Sequence, residues 1–153
     1  MEKITELLNN FSLEKYIPKL DTLMGWIQWL VSLAVRVGPV CILVLGIIYF
    51  LIPPKEANRK AGFRTYFGMG SVEAWQFTQK TAGFVWTGLG ALMTVAMAFI
   101  CNSYRDMAWE AMLLSALISV IVELLLVFVS KLLINALVVL RFDLKGSLRR
   151  ESK

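Results

Sequence analysis

Three stretches of this chain are too long and too apolar to fold in water. Residues 22–52 carry one charge, Arg36; residues 81–101 carry none; residues 109–140 carry only Glu110, Glu123 and Lys131. A water-soluble helix keeps a polar face along its length, and these runs do not. A helix of about 20 apolar residues crosses the ~30 Å hydrocarbon layer of a bilayer, so each run is long enough to span one. With 58% hydrophobic residues and a mean hydropathy of +0.65 in 153 residues, no room remains for a separate soluble domain. The expected fold is an all-α membrane protein with three transmembrane helices, an N-terminal amphipathic helix and an ordered cytoplasmic loop.

Residues 1–20 place Ile4, Leu7, Leu8 and Phe11 at helical spacing, with Glu2, Lys3, Glu6 and Asn10 opposite. This segment reads as a surface helix that packs on the bundle or lies in the lipid interface. Asp21 is a suitable cap for the first long run, which Arg36 and the Gly38-Pro39 pair divide; 37–52 reads as the core of the first span. Trp26 and Trp29 then fall near the membrane surface, where indoles are favoured, and Pro53-Pro54 stops the helix. The second span is 81–101, with Gly83, Thr87, Ala91, Thr94 and Ala98 as a stripe of small residues. Such a stripe suits close contact with another helix of the same chain, or with a second copy.

The third span is 109–130, with a helical extension through Leu140. Ser115, Ser119 and Glu123 share one face of it. A carboxyl at that depth costs a few kcal/mol unless it is paired or neutral, so it should face protein or water; Arg36 and Lys131 are the candidate partners. A structural pairing and a functional polar site are both open. The basic tail, 141–153, is expected to be mobile.

The net charge of +5 sits beside the apolar runs. The loop 54–80 holds five Lys and Arg, and the tail after the third span five more. The loop 102–108 holds only Arg105, and the segment before residue 37 holds Lys3, Lys15, Lys19 and Arg36. The positive-inside rule therefore places the N-terminus outside and the C-terminus inside. The pattern suits membrane lipids as partners and does not suit direct nucleic-acid binding. Cys41 and Cys101 both lie in apolar runs, which argues against a disulfide framework or a zinc site. No cleavable signal peptide is expected from the charged first twenty residues.

The loop between the first two spans looks built. Gly62, Gly68 and Gly70 permit unusual backbone angles, and Phe63, Tyr66, Phe67 and Trp75 supply aromatic surface. Ser71 suits the N-cap of a helix beginning at Val72, with Glu73 in its first turn. The order Asn58, Gly62-Phe63-Arg64-Thr65, then Ser71, Glu73 and Trp75 closely resembles the signature of the SdpI/YfhL family. Eight placed residues agree in type and order. The resemblance covers about forty residues, from Asn58 through the second span. It implies a bacterial cytoplasmic-membrane protein of the immunity or signalling type, whose best-known relative protects against a secreted peptide toxin.

Within this loop, Arg64, Thr65 and the capped helix end would suit a phosphate, such as a lipid headgroup at the inner leaflet. The alternative is that Arg64 pairs with Glu73 and braces the loop, with Asn58 bonded to backbone. Trp75 reads as an interfacial anchor before it reads as part of a site. An enzyme is not expected: the chain has no histidine, no paired Cys, no phosphate-binding glycine loop and no metal-ligand cluster, and no cofactor is implied. A transporter would need more spans than three unless it oligomerised. The expected function is an immunity or signalling protein that binds a peptide toxin, or its membrane target, without catalysis. The alternative is an accessory subunit of a larger membrane complex. Partners in view are membrane lipids, the toxin or its target, a cytoplasmic or membrane protein, and a second copy.

Overall fold

The computed structural model describes residues 17–57 and 61–149, with side chains from Thr22 onward. Three long helices account for most of it: α1, Ile17–Leu51; α2, Val72–Ser103; and α3, Trp109–Arg141. Each contains a segment long and apolar enough to cross a membrane. The amphipathic helix expected over 1–20 falls almost wholly outside the described residues, as does Asn58.

α1 does not divide at Gly38-Pro39; it is one helix through Pro39. Proline deletes a single N–H, the one that would have bonded the carbonyl of Val35. Val35 and Pro39 are both buried in the bundle, where neighbouring helices make such a loss tolerable.

α1 and α2 pack antiparallel along most of their length. In lipid no hydrophobic force draws helices together, so association depends on close packing. Three glycines supply it. A Cβ on Gly83 would overlap the backbone of Phe50, one on Gly46 the backbone of Thr87, and one on Gly90 the backbone of Leu43. Near the far end Cys101 Sγ approaches the carbonyl of Ser32 at 3.8 Å. Both helices step by four, three and then eleven residues between these contacts, so the register holds across the bundle. The small-residue stripe read along α2 therefore serves the same chain at Gly83 and Thr87, whereas Ala91 and Ala98 are exposed.

α3 lies against the pair more loosely: 11% of its apolar segment is buried, against 28% for α2. Met112, Ala116, Ser119, Ser130, Ile134 and Val138 form its buried face, and the remaining leucines and valines are left for lipid. A hydrogen bond ties α3 in, from the Trp86 indole N–H to Ser130 Oγ at 3.1 Å, and its last residue, Arg141, reaches α2 at Phe77.

Residues 142–149 of the basic tail fold back in a turn where the sequence suggests a mobile segment, and 150–153 lie outside the described residues. Phe142 and Leu148 pair across a turn in which Asp143 caps the Lys145 and Ser147 amides at 2.9 and 2.8 Å. Gly146, at φ 78°, lies directly against Gly70 and Ser71. Ser71 Oγ donates to the Gly146 carbonyl at 2.7 Å. Arg141 stacks over the Phe77 ring, 4.5 Å from its centre. The tail thus docks onto the loop that precedes α2.

Candidate functional site: a cationic pocket at the loop end

The loop owes its shape to the first two turns of α2. Ser71 has extended backbone and its hydroxyl accepts the Ala74 amide at 3.1 Å, the N-cap expected there. Trp75, one turn on, is fully buried, with its indole N–H donating to the Pro54 carbonyl at 2.8 Å. It therefore meets protein and is not an interfacial anchor. Its ring covers Gly62, which takes φ 105°. An L side chain would be strained there and would also strike the indole. Gly68 and Gly70 do not use positive φ; they permit close approach to Thr78 and to the tail.

Gln79, a further turn on, is fully buried and clamps the loop. Its Oε1 accepts the Phe63 amide at 2.8 Å and its Nε2 donates to the Phe63 carbonyl at 2.7 Å. Phe63 is then set edge-on to Trp86 with ring centres 5.2 Å apart. Thr65 is buried, and its hydroxyl accepts the Gly68 amide at 2.9 Å, closing the short 3-10 turn Phe67–Met69.

This arrangement turns Arg64 into a concavity of about 320 Å³. Tyr49 of α1, Thr65 of the loop, Trp86 of α2, and Lys131 and Asn135 of α3 complete its wall. Two cations, an amide and two hydroxyls line it, and among the described residues no carboxylate does. The composition suits an oxyanion: a guanidinium fork and an ammonium supply charge, and the neutral groups supply further donors.

The sequence-derived site residues divide accordingly. Gly62, Arg64 and Thr65 line the pocket, while Ser71 and Trp75 shape the loop behind it. Glu73 is exposed and forms no ion pair with Arg64. It lies two residues from Trp75, about 200° around the helix from the face that holds the loop, so the bracing pair does not form. Asn58 lies outside the described residues.

The intramembrane seam is partly assembled. Ser119 donates to the Ser115 carbonyl at 2.8 Å, a bond within α3. Glu123 packs beside Gly38 of α1 and on the wall of an apolar cavity of about 210 Å³. Its Oε1 is buried without a partner, and neither Arg36 nor Lys131 pairs with it. Lys131 is eight residues along α3, about 12 Å away on the axis, and Arg36 points about 200° around α1 from Gly38. Sequence reading missed Gln79, Asn135, Tyr49 and Trp86, and placed Lys131 in the wrong partnership. One signal was available: Gln79 is an uncharged hydrogen-bonding residue one turn beyond Trp75, on the same helix face.

Among the described residues no group of three Cys, Asp or Glu side chains is placed to hold a metal ion. The protein-family model that matches the chain is that of the SdpI/YfhL protein family, over residues 55–130. The match begins in the loop, takes in Arg64 and all of α2, and ends within α3 beside Lys131. No curated protein and no solved structure matches the chain.

Proposed function

The chain belongs to the SdpI/YfhL family through residues 55–130, and from that premise we propose that it is a membrane immunity protein acting by non-catalytic binding. The observation that carries the reading is the loop-end pocket, where Arg64 of the family loop meets Lys131 and Asn135 of α3 with no carboxylate among them. A site of this composition binds and orients an anionic group. It offers no general base of the usual kind, and the chain has no histidine to supply one. The ligand in this reading is a membrane-active peptide toxin, or the phosphate-bearing membrane component such a toxin attacks. The distribution of Lys and Arg sets the loop and tail on the cytoplasmic side, with the N-terminus outside.

Protection of a sensitive bacterium tests this directly. Cells expressing the wild type at matched membrane levels are challenged with membrane-active peptide toxins, beside Arg64→Ala and Lys131→Ala. Survival with the wild type, lost in both variants, is the expected result. Survival unaffected by either substitution removes the pocket from the mechanism. No protection against any toxin favours an accessory subunit of a larger membrane complex, for which co-purification from native membranes is the next measurement.

A further inference from the structure

A second cavity, of about 530 Å³, lies at the opposite end of the bundle between α1 and the end of α2. Arg36 and Arg105 line it, with Gln28, Ser32 and Asn102 as neutral hydrogen-bonding neighbours. Tyr104 stands in its wall, 1% exposed, with its buried hydroxyl lacking a partner. Gln28 Nε2 reaches the Tyr104 carbonyl at 3.4 Å, which holds α1 to the turn after α2. Among the described residues no carboxylate lines the cavity. Asp106 and Glu110, the acidic residues of the turn and of the start of α3 here, are exposed and form no ion pair with either arginine among the described residues.

We propose that this cavity is a binding site for the phosphate of an anionic phospholipid. The proposal is independent of the immunity reading and rests on depth, charge and burial. Ser32 and Tyr49, on the walls of the two cavities, are 17 residues apart on α1, about 26 Å at the rise of an α-helix. That separation is close to the ~30 Å hydrocarbon thickness, so this cavity meets the lipid phosphates of the opposite leaflet. Arg36 lies one turn closer to the bilayer centre than Ser32, and Arg105 one turn beyond Cys101. An arginine set into an apolar helix costs a few kcal/mol unless an anion or water reaches it. Glu123 does not serve as that anion, and phospholipid supplies one at this depth. Trp29 lines the same cavity, and Trp26 stacks edge to face on it at 6.1 Å; both are more than half exposed, as interfacial indoles are.

The test is native mass spectrometry of the detergent-purified full chain. The background carries Arg64→Gln and Lys131→Gln, so that the loop-end pocket does not contribute. Dioleoylphosphatidylglycerol is titrated against dioleoylglycerol, which lacks the phosphate, and inorganic phosphate is added as competitor. The expected result is one phosphatidylglycerol retained per chain, weakened about tenfold by adding Arg36→Gln and Arg105→Gln. Arg105→Gln alone, on an exposed turn residue, keeps helicity and elution unchanged and weakens binding by a smaller factor. Retention unchanged by the arginine substitutions, or equal retention of dioleoylglycerol, overturns the proposal. Displacement of the lipid by millimolar inorganic phosphate overturns the headgroup assignment and leaves a site for free phosphate.

Discussion

The clamp between Gln79 and Phe63 holds the loop through two buried hydrogen bonds. Replacing Gln79 by Leu fills the site with a side chain of comparable size and removes both polar atoms. The Phe63 amide and carbonyl, now bonded at 2.8 and 2.7 Å to a fully buried side chain, are then left without partners. An unsatisfied buried polar group costs about 1–3 kcal/mol, so the two together cost about 2–6 kcal/mol. The loss falls on the loop before it reaches the helices, because α1 and α2 are joined through other contacts. At the lower limit the loop opens about thirtyfold more often. Hydrogen exchange of the Phe63 amide in lipid nanodiscs reads that number directly. Gln79→Glu keeps an acceptor for the amide but sets a carboxylate against the Phe63 carbonyl, and is expected to be at least as damaging. Exchange at Phe63 within threefold of wild type in Gln79→Leu would refute the clamp, and with it the explanation of how Arg64 is positioned.

Other outcomes follow from single contacts. Gly46→Ala drives a Cβ into the Thr87 backbone and is expected to cost about 1–3 kcal/mol in thermal unfolding in detergent; Gly88→Ala, with nothing within 4 Å, should be nearly silent. Gly38→Ala meets only the end of the Glu123 side chain and should cost less than Gly46→Ala in the same assay, the difference closing if Glu123 does not move. Ser71→Ala removes both the cap on Ala74 and the bond to Gly146, for about 1–2 kcal/mol, with protease sensitivity rising after Arg141 as the tail releases.

The sequence displays what depends on the chain alone. Apolar runs betray spans because the bilayer thickness sets a length, and Ser71 is legible because capping is decided within four residues. The family motif marked the loop for the same reason: its members are close in sequence. What the sequence hid is lateral. Lys131, Asn135 and Tyr49 come from helices whose rotation about their axes is set by packing, and an apolar helix surrounded by lipid shows little periodicity to reveal it. Pairing Glu123 with Arg36 was reasonable by charge and failed by azimuth. Pro39 read as a break because its lost bond is visible in sequence, whereas the burial that accommodates it is not. The tail read as loose because a docking surface made by Gly70 and Ser71 cannot be seen from residues 141–149 alone.

The weak hold on α3 bears on how the pocket works. α1 and α2 are locked by glycine-mediated backbone contact, but α3 meets them through a thin buried stripe, the Trp86–Ser130 bond and the Arg141–Phe77 stack. Two of the pocket's polar residues, Lys131 and Asn135, belong to α3, while Arg64 belongs to a loop held by α2. The pocket is therefore complete only when α3 is docked. Docking α3 also brings Lys131 toward Arg64, and like charges in one concavity oppose that step. An anion between them removes the repulsion and adds attraction to both, so its binding energy appears as tighter helix association. On the anion-binding reading proposed above, the pocket and the third helix interface are one equilibrium. Ligand affinity is then set as much by the packing of Ser130, Ile134 and Val138 as by the charges that touch the ligand.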